Sequence, residues 1–201
     1  MLTFEVKTNI QDTIKKLEEM QRGLGDKAAR SAVNKCADQA KTQMSRLIRE
    51  DYNISAALLR ERLVVRKSFR SDGMRISAAL IGNPNAGGKG RSMNVIHFLE
   101  RSVSMAEAKR RRRGGTLDQL HFKIKRQGGK VRIPGAFIAN AGRTVFQREG
   151  KGRLPIKPVQ TIGIPQMFNT KKNRTAIVAW INANLPRIMD HEVQHYLRTF
   201  R

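Results

Sequence analysis

His191-Glu192-Val193-Gln194-His195 is the sharpest chemical signal in the chain. On a helix, H-E-x-x-H sets two imidazoles on one side, with the glutamate placed to activate a zinc-bound water. The chemistry would be metal-assisted hydrolysis. The surroundings argue against it. Only six residues follow His195, so the usual downstream third ligand is missing. The apolar stripe of this segment centres between Leu185 and Val193, which puts His191 on the polar side and His195 at its flank. A ligand pair facing solvent does not build a dry catalytic site. The expectation is two surface or interface histidines, with no metal and no cofactor. A zinc metalloprotease acting through His191-Glu192-x-x-His195 is kept as a remote alternative.

Two further stretches hint at phosphate chemistry. Gly87-Gly88-Lys89-Gly90 suggests a phosphate loop, but a P-loop needs Gly-Lys followed directly by Ser or Thr. Here Gly90 follows Lys89, and no convincing helix follows to offer its N-terminus. A flexible basic loop is expected. Lys109-Arg110-Arg111-Arg112-Arg113 is a concentrated charge run. It reads either as a solvated loop or as a contact to a nucleic-acid backbone, where arginine forks pair with phosphate and release counterions. Candidate contacts to DNA or to an acidic partner are Lys89, Arg91, Lys109, Arg110, Arg111, Arg112, Arg113, Lys123, Lys125 and Arg126. No helix-turn-helix pattern, zinc-finger spacing or aromatic RNA-binding signature is visible, so sequence-specific reading is not expected.

Charge dominates the composition. Lys and Arg number 40 against 16 acidic residues, a formal net charge of +24 over 201 residues. Such a chain repels itself unless something acidic is near, whether nucleic acid, an acidic protein or an anionic membrane. No apolar run approaches the length of a membrane span. The N-terminus MLTFEVKTNI lacks the basic and long apolar regions of a secretory signal. Hydrophobic residues make up 39% and aromatics 5%, so the core must be aliphatic and modest. The single Cys36 falls on an apolar stripe and is expected in the core. It has no internal disulfide partner, which fits folding in a reducing cytoplasm.

Several elements must position these residues. Leu2, Phe4 and Val6 alternate with polar residues and suit a first strand. Thr8 and Gln11 resemble a capping box, and Ile10, Ile14, Leu17, Gln21 and Leu24 recur at helical spacing, ending at Gly23 or Gly25. Asp26 can cap a second helix with the stripe Ala29, Val33, Cys36, Ala40, Met44 and Leu47. Its small residues Ala28, Ala32 and Ala37 would let another element approach closely. Asn53 to Leu63 reads as a shorter helix capped by Ser55, with Leu58, Leu59 and Leu63 inward. Met74, Ile76, Ala78 and Leu80 alternate as a strand. Composition then shifts through 83–118, a basic excursion or arm containing the short apolar return 93–100. Leu120, Phe122 and Ile124 restart the sheet, and Gln127-Gly128-Gly129 turns it. Ile164 to Phe168 is a short helical turn. From Asn173 onward Ile177, Ile181, Leu185, Ile188, Met189, Val193, Tyr196 and Phe200 form one amphipathic helix, kinked or restarted at Pro186.

The whole is organised around residues 130–168. Short apolar bursts (Val131, Ile133, Phe137, Val145, Phe146, Ile156, Val159) are broken by Gly135, Gly142, Gly150, Gly152, Pro134, Pro155 and Pro158, the rhythm of short antiparallel strands and tight turns. Arg132, Pro134, Phe137, Phe146, Arg148, Pro155 and Ile156 are the candidate subunit-interface or core hairpin residues. RIPGAFI, then a strand with FQRE, then a basic Gly turn and LPIKPV, is similar to the phage minor tail protein Z family. The likeness runs from about Lys130 through the last helix. It extends more loosely to the N-terminal helices and fails near 83–118. The order of segments, rather than any chemical motif, is what is specific.

The expected fold is α+β and a single domain over 1–201. It has N-terminal helices, a central antiparallel sheet of short strands and hairpins, and a long C-terminal amphipathic helix. The resemblance implies a non-enzymatic structural virion protein, made in the host cytoplasm and placed at the head-proximal end of the tail. It further implies a homo-oligomer, with a hexameric ring the expectation. Its neighbours would be tail and head–tail connector proteins, genomic DNA would lie in the lumen, and no membrane would be involved. The rival from composition alone is a non-sequence-specific nucleic-acid-binding protein.

Overall fold

A computed structural model describes residues 22–68, 77–82, 92–100, 120–150 and 152–199. The first strand, the Thr8–Gln11 box and the helical stripe Ile10–Gln21 lie outside these residues. So do Met74, Ile76, Lys89, Arg91 and the run Lys109–Arg113.

Two long helices frame the molecule. Helix α1 spans Arg22–Asp51 and helix α4 spans Lys171–Thr199. Lys35 pairs with Glu192, and Asp51 with Lys172, each at 2.6 Å, so the helices run antiparallel. Helix α1 passes through Gly23 and Gly25 without a break, where a helix end and a new cap at Asp26 were expected. Gly25 is buried and heads the line Ala28, Ala32, Cys36, Ala40, Met44 and Ile48. Burial against neighbouring elements offsets the weak helix propensity of glycine, about 1 kcal/mol. That line also corrects the expected stripe. Ala29, Val33 and Leu47 are only half-buried, and Ala28, Ala32 and Ile48 take the interior places. A strict i+4 row is a ridge that slants across the helix. Its N-terminal part meets α4, and its C-terminal part turns into the main core.

The shorter helix α2, Ala56–Arg62, follows the expected reading. The Ser55 hydroxyl accepts from the Leu58 N–H at 3.2 Å, and Leu59 and Leu63 are fully buried. Ser55 satisfies a donor that has no partner within the helix.

The strands are short and antiparallel, and among the described residues they form four small sheets. Strand β1 (Leu63–Arg66) pairs with β2 (Ala79–Gly82). Strand β3 (Ser92–Asn94) leads into a 3-10 turn, Val95–Phe98, and pairs with β9 (Gln160–Ile162). Strand β4 (His121–Phe122) pairs with β5 (Val131–Arg132). Strands β6 (Ala136–Ala139), β7 (Thr144–Arg148) and β8 (Ile156–Pro158) make the one three-stranded sheet among the described residues. Leu80 and Ile81 of β2 are both buried, against the expected alternation. The strand touches both α1 and helix α3 (Ile164–Phe168), so it has no solvent face.

Single backbone bonds join the ladders. Asn53 N–H donates to Ile124 O at 2.8 Å, and Arg126 N–H donates to Asp51 O at 3.0 Å. Lys123 N–H donates to Phe98 O, and Val159 N–H to Val145 O. The Asn94 side chain adds a clamp. Its Oδ1 accepts from Val145 N–H at 2.9 Å and Ile96 N–H at 3.1 Å, while its Nδ2 donates to Val145 O at 3.1 Å. It thus imitates a missing strand beside β7 and caps the 3-10 turn. Asn94→Ala should destabilise the fold by about 1–3 kcal/mol, since backbone groups are left without partners; urea unfolding would read this directly.

Two cores result. The larger gathers Met44, Ile48, Leu59, Leu63, Phe98, Phe168 and Ile177 where α1, α2, β2, α3 and α4 meet. The smaller lies under the three-stranded sheet around Val95, Phe122 and Val145. Helix α4 is continuous through Pro186, with no restart. Pro186 sits on the exposed side while Leu185 and Met189 are buried, so packing on the inner face holds the helix together.

Candidate functional site

The H-E-x-x-H segment lies on α4 with its glutamate turned inward. Glu192 is 1% exposed; Ser31 Oγ donates to it at 2.6 Å and Lys35 Nζ at 2.6 Å. Burial alone would raise its pKa. The hydrogen bonds from Lys35 and Ser31, with the charges of Lys35 and His191, outweigh burial and hold the carboxyl below its usual value. His191 and His195 are exposed, and the His195 ring meets Tyr196 edge-on at 5.6 Å. A zinc hydrolase needs the imidazoles converging on a metal and the carboxylate free to take a proton from water. Here the carboxylate is engaged in tying α4 to α1. Among the described residues, no group of three His, Cys, Asp or Glu side chains could hold a metal. Purified protein dialysed against zinc should retain far less than one equivalent by atomic emission, and His191→Ala should not change the amount.

Cys36 is buried between the helices, and burial pushes its thiol up to about 11. A thiol held protonated is a poor nucleophile, in line with the core role expected for it.

A cleft of about 280 Å³ opens beside Leu58, Arg62, Asn94, His97, Thr144 and Gln160. Partial burial and the Arg62 guanidinium lower the His97 pKa against an opposing pull from Glu61. The cleft was not anticipated, because α2, β3, β7 and β9 are far apart in sequence. The polar Asn94 side chain in its wall is engaged with backbone groups through both its Oδ1 and its Nδ2.

The basic candidates that fall on described residues collect on one hairpin. Lys123, Lys125 and Arg126 follow β4, and Arg132 lies on β5, opposite His121. Lys125, Arg126 and Arg132 are exposed and Lys123 is half-buried. Lys130, in the same turn, pairs with Glu100 at 2.9 Å.

Of the interface candidates, Phe137, Phe146, Arg148 and Ile156 lie on the three-stranded sheet, Pro134 and Pro155 just before β6 and β8, and Arg132 on β5. Strand parity sorts the two faces of that sheet. Val145 and Ile138 point into the smaller core. Phe137, Phe146, Arg148, Ile156 and Pro158 share the opposite face. Phe137 and Phe146 are cross-strand partners, with ring centroids 6.2 Å apart. The Arg148 guanidinium lies 5.1 Å from the Phe137 centroid, a cation–π contact. Gln147 Nε2 donates to Pro134 O at 3.0 Å and fixes the entry to β6. The β6–β7 turn holds Asn140, Ala141 and Gly142 at positive φ. Leu154, beside Pro155, is 70% exposed and Ile156 is 37% exposed. Of the apolar bursts in this region, Val145 alone is fully inside; Val131 is 48% exposed.

Sequence reading missed the Ser31–Lys35–Glu192 lock, although the spacing Leu185, Met189, Glu192 already put the glutamate on the buried row. It also missed the Asn94 clamp, for which a lone asparagine between two apolar runs gives no signal.

Compared with known proteins, the chain matches the family model described as prophage minor tail protein Z over residues 8–201. The match runs through 83–118, where the resemblance was expected to fail. No curated protein and no solved structure matches the chain.

Proposed function

The chain belongs to the prophage minor tail protein Z family, and from that membership we propose that it completes the tail, as a homo-oligomeric ring at the head-proximal end. A phage minor tail protein is a structural component of the virion. The finer reading is that copies, six in the expected ring, close around the DNA path. Neighbouring tail and connector proteins would sit above and below, and the ring would help join tail to head and position the DNA end.

One observation carries this reading: a chain of net charge +24 whose single catalytic-looking carboxylate is locked in a helix contact. A ring around a polyanion needs cations facing phosphate, and it needs no reaction centre. Phosphate contacts give affinity without sequence reading, which lets DNA pass. Lys123, Lys125, Arg126 and Arg132 are exposed or half-exposed and suited to this. Non-enzymatic action belongs to the same proposal.

The exposed cations also favour a second reading, a free protein that coats nucleic acid. A three-dimensional map of the assembled virion separates the two. The proposal expects this chain as a closed layer between tail tube and connector. Finding it elsewhere in the particle, or nowhere, rejects the proposal and leaves the nucleic-acid reading.

A further inference from the structure

We propose that the open face of β6–β7–β8 is a docking surface for an acidic, apolar-bearing segment of a different protein, and not for a second copy of this chain. The inference concerns binding chemistry. It rests on the tail reading only for where such a partner would be met.

The face has the composition of an interface centre. Phe137, Phe146, Pro158 and Ile156 share this face by strand register, and Leu154, 70% exposed, precedes Ile156 by two residues in the chain. Apolar side chains with a charged rim are the usual make-up of recognition patches. Arg148 lies on the same face, its guanidinium on the Phe137 ring. Stacked in this way, it is oriented for a carboxylate fork.

Charge selects the occupant. The sequence of residues 131–158 holds six Lys and Arg against one acid, Glu149; by register Arg148 shares this face, and Lys157 lies on the opposite one. That acid is already 3.6 Å from Lys157. A second copy docking face to face would bring the same excess of cations over acids against itself, which opposes association. Nucleic acid would satisfy the arginines but leave Leu154, Ile156 and Pro158 facing phosphate and water. A protein segment bearing both carboxylates and apolar side chains satisfies both features.

The test uses the purified full chain and fluorescent synthetic peptides. One alternates Glu with Val and Phe. A second replaces each Glu with Lys, and a third replaces the Val and Phe with Ser. The first should bind at least about tenfold more tightly than either control, by anisotropy. Arg148→Glu and Leu154→Glu should each weaken it about tenfold or more. Both side chains are exposed, and circular dichroism should show the fold unchanged. Equal binding of the Glu/Ser peptide, indifference to Leu154→Glu, or no binding of the first peptide would each overturn the proposal. Displacement of the peptide by duplex DNA in a manner sensitive to Leu154→Glu would overturn it in favour of nucleic acid. Self-association abolished by Arg148→Glu would overturn it in favour of a second copy. None of these outcomes bears on where the chain sits in a virion.

Discussion

Phe168→Ala should lower the unfolding free energy by about 3–5 kcal/mol, the range for removing a fully buried aromatic from a packed core. Phe168 closes α3 and is 0% exposed. It belongs to the core that holds Met44 and Ile48 of α1, Leu80 of β2 and Ile177 of α4. Truncation would leave a void where α1, β2, α3 and α4 share one core. The loss is a large fraction of the roughly 5–15 kcal/mol that stabilises an ordinary domain. The variant should therefore accumulate poorly and unfold at much lower urea, whereas Phe168→Leu should retain most of the midpoint. A loss below about 1 kcal/mol would mean that α3 is not the junction of the main core.

The second large effect is an asymmetry at the helix lock. Lys35→Met removes the main counter-charge of a carboxylate that is 1% exposed and leaves Ser31 as its remaining hydrogen-bond donor. Breaking a buried ion pair from one side destabilises by about 3–5 kcal/mol. The Lys35 side chain is 54% exposed, so solvent screening reduces this, and about 2–3 kcal/mol is expected. Glu192→Leu strands no buried charge, because Lys35 can swing into water. The double variant Lys35→Met, Glu192→Leu should therefore be more stable than Lys35→Met alone. If the double variant is the worst of the three, the pair is a net stabiliser and the stranded-charge account is wrong.

The lock also sets a pH dependence. The Glu192 carboxyl titrates below its usual value in the fold, so its contribution is present above the unfolded value of about 4.3. It is lost as pH falls through the lower folded value, because protonation then favours the unfolded chain. The stability gap between the natural protein and Glu192→Gln should be constant above about pH 5.5 and shrink progressively in acid. A gap that widens in acid would contradict the assignment.

Much of the fold was legible where local chemistry decides it. Ser55 before Leu58-Leu59 reads as a cap because only a side-chain oxygen can satisfy the orphan donor. The Gln127-Gly128-Gly129 turn and the short strands of 131–162 follow from glycine and proline spacing. Long-range packing was not legible. Gly23 and Gly25 look like helix ends, yet the helix is continuous through both, and Gly25 is buried. Pro186 looks like a restart until the inner face, Leu185 and Met189, is seen to hold. The stripe on α1 slid by one residue at Ala28 and Ala32, because an i+4 ridge and a mixed i+3/i+4 stripe share most of their members. At the candidate site, the outward set of the histidines was readable from the helical wheel. The use of Glu192 as an inward anchor was not, since its partners lie 157 and 161 residues away. The grouping of Phe137, Phe146, Arg148 and Ile156 on one face required the register of three strands, which turn lengths alone leave open.

The central claim is that this chain closes the tail to make it joinable, and acts by occupying a place and not by turnover. Electron microscopy of lysates from phage lacking the protein tests this most directly. Filled heads and tube-bearing tails should lie separate, with joining restored when purified wild-type protein is added. Joined, DNA-filled particles in its absence would contradict it.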